Sequence, residues 1–380
     1  MVGDNIKLFS ILAFIFIICF FSSSSYSEEI RDNQKINVVF FSPDKKGNVY
    51  WDFVTSTMRH AAEDLAINLQ VVYANKSNFH NEETFTSLMS TIGKPDYLLY
   101  IYQKNRGLKL LKFAEINNIN SFILNTIVTL DDRKVVGTPK QKFTQWVGHI
   151  YPQLDKAGEN IACTLFQQAE AKNLIAKDGS IHAIAVSGSR DSSSAVEWSK
   201  GIEKSASLTP HRKIQQIVYS NWNAERAYNQ VKGLLGRYPE VAVVLTIDES
   251  TSLAAIRAIE DSGKQANIDV LVGGVVISSN GIEAIKGEKL TANYGQSIWS
   301  GVYGLVYVFD HFHGLKLLPE EYEYSYVEKV ILTKELKSFD MLMSDNAWKN
   351  INFKRFSRYL NPKIKNYDFS PEAMVNILQK

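Results

Sequence analysis

The sequence predicts an α/β protein with two lobes, each built on a parallel β-sheet. Short runs of apolar, β-branched and aromatic residues, typical of strands buried on both faces, alternate along the chain with segments of helical periodicity. Alternation of this kind is typical of parallel sheets whose strands are joined by right-handed helical crossovers. At about 150 residues per domain, a chain of 380 residues is long enough for two such lobes.

Composition narrows the class of protein. Hydrophobic residues make up 45% of the chain and charged residues 22%, which excludes a disordered, collagenous or polytopic membrane protein. The 42 basic and 40 acidic side chains leave a net charge of +2, so no basic field predicts nucleic-acid binding. Two cysteines, Cys19 and Cys163, are too few for a disulfide scaffold or a Cys-rich zinc module.

Near its amino terminus the chain has an apolar segment, Leu8–Phe21, that carries no charge. A transmembrane helix needs about 20 residues, so this shorter run better suits the apolar region of a signal peptide. Lys7 precedes it, and Ser25 and Ser27 place small residues three and one before a cleavage point after Ser27. We therefore expect residues 1–27 to be a cleaved export signal, with an uncleaved amino-terminal anchor as the alternative.

The first α/β block opens with the strand Ile36–Phe41. A helix follows, in which Val54, Met58 and Leu65 share one apolar face. The remaining predicted elements of this block are, in order, the strand Leu69–Tyr73, a helix over 85–92, the strand Tyr97–Ile101, the helix Leu108–Ile116 and the strand Phe122–Val128. A less regular, charged stretch, Asp131–Trp146, is expected to be the first crossing between domains.

The second block repeats the same alternation. Its predicted elements are the helix Asp155–Ala171, the strand Ile181–Val186, the helix Ser193–Ser205, the strand Ile214–Tyr219, the helix Ala224–Gly236, the strand Val241–Ile247, the helix Thr251–Ser262 and the strand Val270–Ile277. An amphipathic helix, Ile298–Phe312, and a last strand, Tyr326–Leu332, follow. Periodicity assigns no element to the polar, aromatic tail beyond them.

Loops after the strands are the expected location of a ligand, because open parallel sheets bind ligands beyond the carboxyl ends of their strands. These loops are Ser42–Trp51, Tyr102–Arg106, Ser187–Ser194, Ser220–Asn223, Asp248–Ser250 and Ser278–Gly281. Two of them contain a tryptophan, Trp51 or Trp222, among polar neighbours. An aromatic face with hydrogen-bonding groups around it suits a sugar ring, whose C–H face is apolar and whose rim is polar.

Motifs of common enzymes are missing from the sequence. No G-x-x-x-x-G-K-[ST] loop is present, no G-x-G-x-x-G follows the first strand, and Ser187-Gly188-Ser189 lacks the flanking glycines of a hydrolase elbow. Asp310, His311 and His313 are residue types that commonly bind metal ions. On a helix, however, residues two apart point to opposite sides, so His311 and His313 cannot easily share one ion. Histidines at a helix end, which interact favourably with the helix dipole, are the simpler interpretation. We expect no catalytic residue, no metal ion and no cofactor.

Three segments carry a resemblance to a known family. They are PQLDKAGENIACTL at 152–165, the stretch Asn221–Gly263 and the stretch Val270–Gly304. In order and spacing they resemble the type I periplasmic solute-binding proteins of the ribose-binding class, which also includes the autoinducer-binding receptors. The resemblance extends from Ile36 to about Leu336. It implies two Rossmann-like α/β lobes joined by a three-segment hinge, with a ligand enclosed when the hinge closes.

The resemblance also implies a division of the chain. The first lobe is expected at 36–130 plus 297–320, the second at 131–296 plus 321–340, and a carboxy-terminal extension at 341–380. The three crossings are expected near Phe122–Val128, after Leu290 and at Leu318–Tyr326.

The same resemblance suggests ligand-binding residues. Tyr50 and Trp51 lie in the first loop, where the family often places aromatic residues that stack on the ligand. Gln103, with Lys104 after it, stands where sugar-binding members commonly have an acidic–basic pair. Trp198 takes the place of an arginine that reaches the ligand in many members, and core packing is its alternative role.

The second lobe supplies the other candidates. Asp248 matches an acidic loop residue of the family, although it could instead cap the next helix with Ser250. Gln296 lies close to a hydrogen-bonding glutamine of the family. Asp191 and Trp222, in loops after strands, complete the set of expected ligand-binding residues.

The function implied is that of a monomeric periplasmic protein without enzymatic activity. It would capture a sugar or a similar small polar solute and deliver it to the permease of an inner-membrane ABC transporter. Two alternatives remain from the sequence. One is a receptor that binds an autoinducer-like molecule and docks on a membrane sensor protein; the other is an exported α/β enzyme, for which no nucleophile and base are recognised. Nucleic acid is not an expected partner.

Overall fold

The computed structural model describes residues 35–73, 82–103, 106–275, 278–333 and 345–378. The predicted signal peptide at 1–27 and Lys104 lie outside these ranges. Within them, no helix combines the length and the apolar composition that a membrane span requires.

Strands and helices alternate through most of these ranges. The strands are β1 (Ile36–Ser42), β2 (Ile67–Tyr73), β3 (Tyr97–Ile101), β4 (Asn120–Leu124), β5 (Trp146–Pro152), β6 (Ile181–Ser187), β7 (Arg212–Tyr219), β8 (Val241–Thr246), β9 (Leu271–Val275), β10 (Ala292–Tyr294), β11 (Glu323–Tyr326) and β12 (Ile331–Leu332).

The α-helices alternate with these strands along most of the chain. They are α1 (Val49–Asp64), α2 (Glu82–Ile92), α3 (Gly107–Ile116), α4 (Leu130–Val136), α5 (Leu154–Ala171), α6 (Ser193–Ser207), α7 (Ala224–Arg237), α8 (Glu249–Glu260), α9 (Ser279–Lys286), α10 (Ser300–Phe312), α11 (Asp345–Asn350) and α12 (Pro371–Leu378). Short 3-10 turns occur at Gln296–Trp299, Pro319–Glu321 and Phe353–Phe356.

Two six-stranded sheets organise the molecule. The first has the strand order β2-β1-β3-β4-β5-β11, and all its neighbouring strands are parallel. The second has the order β7-β6-β8-β9-β10-β12 and is parallel except for β12, which runs antiparallel to β10. In each sheet the strand order reverses next to the first strand, between β1 and β3 and between β6 and β8. Such switch points are where open α/β sheets form their ligand crevices.

We define the first lobe as the first sheet with α1–α4, α10 and residues 345–378, and the second lobe as the second sheet with α5–α9. Buried apolar side chains fill both faces of the sheets, which explains the continuous apolar runs of the strands.

The start and the buried face of helix α1 are determined by residues of the helix itself and of the loop before it. The Asn48 side chain accepts from the backbone N–H of Trp51 (3.1 Å) and caps the helix, while Val54 and Met58 face the core.

The position of strand β5 differs from the expected boundary between the lobes. Residues 131–296 were expected in the second lobe, but Trp146–Pro152 pairs with β4 in the first sheet. Gly148 lets the ring of Phe122 pack closely on this strand. The preceding charged stretch contains α4, where Arg133 forms an ion pair with Glu323 of β11 and binds the helix to the same sheet.

The crossings also differ from the expectation. The segment 122–128 holds the end of β4 and the loop to α4, so it stays within the first lobe. The chain instead passes to the second lobe between β5 and α5. It returns after Tyr294, as expected for the region after Leu290, and leaves again after Tyr326, because β11 pairs in parallel with β5 in the first sheet. Residues 323–326 therefore belong to the first lobe, although the expectation placed them in the second.

Residues 345–378 pack against helix α10 within the first lobe. The ring of Phe369 stacks on Tyr303 (centroids 4.2 Å apart) and the ring of Tyr367 stacks on Tyr307 (4.3 Å), both on α10. Buried Asp310 of α10 accepts hydrogen bonds from the same segment; its donors are Ser357 Oγ, Arg358 N (2.8 Å), Tyr359 N (3.3 Å) and Tyr367 Oη (2.7 Å). Most of the segment expected as an extension thus completes the apolar core of the first lobe.

Candidate functional site

The loops at the carboxyl ends of the two sheets contact each other. Ser193, at the start of α6, donates from its hydroxyl to the backbone carbonyl of Ile127, in the loop after β4 (3.4 Å). This hydrogen bond joins the second lobe to the first. The loops at the two switch points are therefore on facing sides of the lobes.

Tyr50 and Trp51 occupy the first turn of α1, directly after the loop from β1. Their rings meet edge to face with centroids 4.9 Å apart, and Trp51 also contacts Phe40 of the core (6.3 Å). The Tyr50 hydroxyl accepts from Asn125 Nδ2 (2.9 Å). Asn125 follows β4 in the left-handed conformation (φ 61°), which asparagine tolerates better than most residues. These contacts fix two half-buried aromatic rings at the carboxyl edge of the first sheet.

Burial raises the pKa of the Tyr50 hydroxyl well above its ordinary value. The hydroxyl therefore stays protonated at neutral pH. It keeps both a donor and an acceptor function for neighbouring polar groups.

Trp222 presents an exposed ring at the edge of the second sheet. It follows β7, and both Asn221 (φ 55°) and Trp222 (φ 60°) adopt the left-handed conformation that non-glycine residues rarely take. The ring is supported by Gly188, where a Cβ atom would overlap the indole, and 42% of Trp222 is exposed. Strained backbone conformations of this kind cost about 1–3 kcal/mol and cluster at functional sites.

Asp248 caps helix α8, which is the role that the sequence offered as the alternative to ligand binding. Its Oδ1 atom accepts from Thr251 N (2.8 Å), Thr251 Oγ1 (2.7 Å) and Ser250 Oγ (3.0 Å). Asp248 lies just beyond the end of β8, next to the switch point of the second sheet. Capping fixes the carboxylate at this position and does not conflict with a contact to a ligand.

Gln103 lies in the loop that follows β3. It accepts from Arg106 Nη1 (3.1 Å) and lines a small cavity of about 30 Å³ together with Ser42, Phe85 and Tyr100. The lining comes from β1, β3 and helices α2 and α3 with their adjoining loops. A contact between Gln103 and a ligand therefore stays a prediction.

Two of the other candidates have contrasting environments. Asp191 is exposed in the loop before α6, where it accepts a hydrogen bond from the hydroxyl of Ser189. Trp198 is completely buried in the core, and its indole lies beside the hydroxyl of Tyr294. Its environment is the one expected for the packing role.

Gln296 begins the 3-10 turn on the return crossing, and its side chain lies outside the described part of the structure. A contact between Gln296 and a ligand therefore stays a prediction.

The residues Asp310, His311 and His313 do not converge. His311 Nδ1 bonds to the Tyr97 hydroxyl (2.7 Å), His313 Nδ1 bonds to the carbonyl of Phe309 (2.8 Å), and Asp310 bonds to the 345–378 segment. Among the described residues, no group of three or more His, Cys, Asp or Glu side chains could hold a metal ion. Burial lowers the pKa of His311 to about 4, so that its ring is neutral at physiological pH.

Three residues near this site were not recognised in the sequence. Asn125 was placed inside a strand, because the apolar pattern continues to Val128 although β4 ends at Leu124. Ser297 and Glu328 lie on two different crossings, where the backbone N–H of Ser297 donates to Glu328 Oε1 (2.7 Å). Only the lengths of the strands and the positions of the crossings bring these residues close to Tyr50.

Known proteins share this architecture. A family model described as "Periplasmic binding protein domain" matches residues 38–311, well over half of the chain. No curated protein matches the chain significantly.

Solved structures agree with the family match. A periplasmic sugar-binding protein from Pseudomonas fluorescens is 24% identical with a TM-score of 0.75, covering 90% of this chain and 99% of that one. An ABC transporter periplasmic solute-binding protein from Actinobacillus succinogenes with bound D-allose is 18% identical with a TM-score of 0.67, covering 80% and 99%. The Caulobacter myo-inositol binding protein bound to myo-inositol is 14% identical with a TM-score of 0.64, covering 80% and 95%. The resemblance seen in the sequence is confirmed: the chain belongs to the periplasmic binding protein domain family of non-catalytic solute-binding proteins, and its two-sheet α/β fold is the type I form.

Proposed function

We propose that this protein captures a sugar or a similar small polar solute between its two lobes and delivers it to a membrane ABC transporter. The observation that carries the proposal is the placement of aromatic rings at the carboxyl edges of both sheets. Tyr50 and Trp51 belong to the first lobe, and Trp222 belongs to the second. A sugar ring enclosed between such faces buries its two apolar sides at once.

Polar groups beside these rings would bind the hydroxyl rim of the solute. Oδ1 of Asp248 is engaged in capping α8, and we expect Oδ2 to accept from a ligand hydroxyl. Asp191 supplies a second carboxylate on the exposed loop before α6. Carboxylates suit hydroxyl donors because charge-assisted hydrogen bonds are about twice as strong as neutral ones.

The class of ligand is supported by charge and by the relatives. A net charge of +2 on 380 residues gives the protein no strong field to attract an ionic ligand. D-allose and myo-inositol, bound in two of the solved relatives, are neutral polyhydroxylated rings. We propose a neutral ligand of this size and polarity for the present chain.

Delivery to a transporter requires export to the periplasm. The apolar segment Leu8–Phe21 and the small residues at Ser25 and Ser27 support a signal peptide that is cleaved after Ser27. The intact mass of the protein recovered from the periplasm of a Gram-negative host tests this. A protein that keeps residues 1–27 would contradict the cleavage.

Ligand screening tests the binding function. The purified protein is heated in the presence of aldopentoses, aldohexoses, furanose-forming sugars and inositols, and its melting temperature and tryptophan fluorescence are recorded. We expect one of these compounds to raise the melting temperature, because a ligand that binds only the folded protein stabilises it. The same compound should change the fluorescence of Trp51 or Trp222.

A variant locates the bound solute. Trp222→Ala should weaken binding of that compound by about tenfold, since stacking on an aromatic face contributes on the order of 1 kcal/mol. Ile268→Ala, which also removes an exposed apolar side chain (59% exposed) from the second lobe, is the matched control and should bind normally. No response to any sugar or inositol would overturn the proposed ligand class.

A further inference from the structure

A glutamate is completely buried where the chain crosses between the lobes for the third time. Glu328 lies between β11 of the first lobe and β12 of the second, and it is 0% exposed. Its Oε1 atom accepts from the backbone N–H of Ser297 (2.7 Å), which lies on the return crossing. One side chain thus joins two of the segments that must twist when the lobes move relative to each other.

The second oxygen of this carboxyl is not satisfied. Oε2 is buried without a hydrogen-bond donor among the residues that the structure describes. The hydroxyl of Ser297 lies beside both Glu328 and the hydroxyl of Tyr50. Burying a carboxylate without a full set of donors is unfavourable, whereas the protonated acid carries no charge and is buried at lower cost.

The surroundings of Glu328 come from both lobes. Tyr50 of α1, Tyr303 of α10 and Tyr326 of β11 approach it from the first lobe, and Tyr294 of β10 approaches it from the second. Each of these four phenols interacts electrostatically with Glu328, and each has its pKa raised by burial. None of them supplies a positive charge that would stabilise a carboxylate.

Tyr294, which covers one side of Glu328, belongs to the second lobe. Rotation of the lobes away from each other would therefore expose the carboxyl of Glu328 to water. Burial raises the pKa of Glu328 to about 7 in the arrangement described here. Hydration on opening would return the pKa toward its ordinary value. Closing and proton binding are then linked, since each favours the other.

We propose that Glu328 is a proton-operated latch of the hinge, which favours the closed arrangement of the lobes while its carboxyl is protonated and favours opening once it is ionised. The regulation rests on the proposed function, because closure is what retains a solute, but the latch can be tested without any ligand. A solute would then be held more tightly in a mildly acidic periplasm than in an alkaline one.

Small-angle X-ray scattering of the ligand-free protein measures the arrangement of the lobes directly. We expect the radius of gyration of the wild type to rise as the pH increases from about 5.5 to about 8.5, with a midpoint near the pKa of Glu328. Glu328→Gln, which cannot ionise, should stay compact over the whole range. Glu320→Gln, at an exposed glutamate, is the matched control and should follow the wild type.

A wild-type radius that does not change with pH, or a Glu328→Gln profile parallel to that of the wild type, would overturn the latch. If Glu328→Gln does not fold, carbon NMR of glutamate carboxyls in the wild type decides instead. One carboxyl should titrate near neutrality, after the exposed glutamates have ionised, and its absence would overturn the proposal. Neither of these results would contradict the proposal that the protein binds a sugar. Failure of every sugar to bind would in turn not contradict the proposed latch.

Discussion

Gly158 of α5 packs directly on the backbone carbonyl of Trp198 in α6, so closely that a Cβ atom at position 158 would overlap the oxygen. The contact is reciprocal, since a Cβ atom at Gly201 of α6 would overlap the carbonyl of Asp155 in α5. Two glycines therefore let these helices approach backbone to backbone at the start of the second lobe.

Gly158→Ala should lower the free energy of unfolding, because neither backbone can move away without separating the helices. Overpacking a core in this way costs about 1–3 kcal/mol. Urea denaturation measures the effect. Gly233→Ala in α7 is the control: no atom lies within 4 Å of its added Cβ, and alanine there should stabilise the helix by about 0.5–1 kcal/mol. Equal effects of the two substitutions would contradict the close packing.

Gly188→Ala should impair the proposed ligand site without unfolding the lobe. Its Cβ atom would overlap the indole of Trp222 and push this ring away from its present position. We expect weaker binding of whichever sugar raises the melting temperature, by about tenfold, because the aromatic face is displaced. Isothermal titration checks this, with Gly236→Ala as the control because the space around that glycine is open. Unchanged affinity in Gly188→Ala would show that Trp222 does not contact the ligand.

Asp310→Asn should release the carboxy-terminal segment. The carboxylate accepts four hydrogen bonds from residues 357–367, and the asparagine amide would direct N–H groups at some of these donors. Leaving a buried hydrogen-bonding group of this kind unsatisfied costs about 1–3 kcal/mol. Limited proteolysis should then cleave within 345–378 before the rest of the chain. Asp131→Asn, at a side chain that is 91% exposed, should leave the cleavage pattern unchanged.

His311 should make the protein sensitive to acid. Its folded pKa of about 4 lies below the ordinary value of 6.5, because burial disfavours the imidazolium. The unfolded chain therefore binds the proton more readily, so the contribution of His311 is fully present above about pH 6.5 and is lost as the pH falls through about 4.

His311→Gln should reduce this acid sensitivity by about 2 kcal/mol when denaturation at about pH 4.5 is compared with denaturation at about pH 7. The substitution removes the titrating ring and keeps a polar group near Tyr97. His211→Gln, at an exposed histidine, is the control. If both variants lose stability in acid as the wild type does, burial of His311 is not the cause.

Local patterns in the sequence determined most of the elements and the family. Strand-length apolar runs and helical periodicity depend only on neighbouring residues, so the helices from α5 to α8 lie close to their predicted bounds. The loops after strands were found for the same reason, and with them Tyr50, Trp51, Trp222 and Asp248. Their rings and carboxylates lie at carboxyl edges because parallel strands all end at the same side of a sheet.

Only the tertiary structure decided which sheet each strand joins and which side chains share a site. Trp146–Pro152 completes the first sheet through hydrogen bonds to β4, and no local pattern specifies a partner strand. Trp198 faces the core, whereas an equally apolar tryptophan at 222 lies exposed on a strained loop. Glu328 and Ser297 are 31 residues apart and meet because two crossings run side by side. Periodicity describes neighbours along the chain, but burial and pairing depend on residues that folding brings together from far apart.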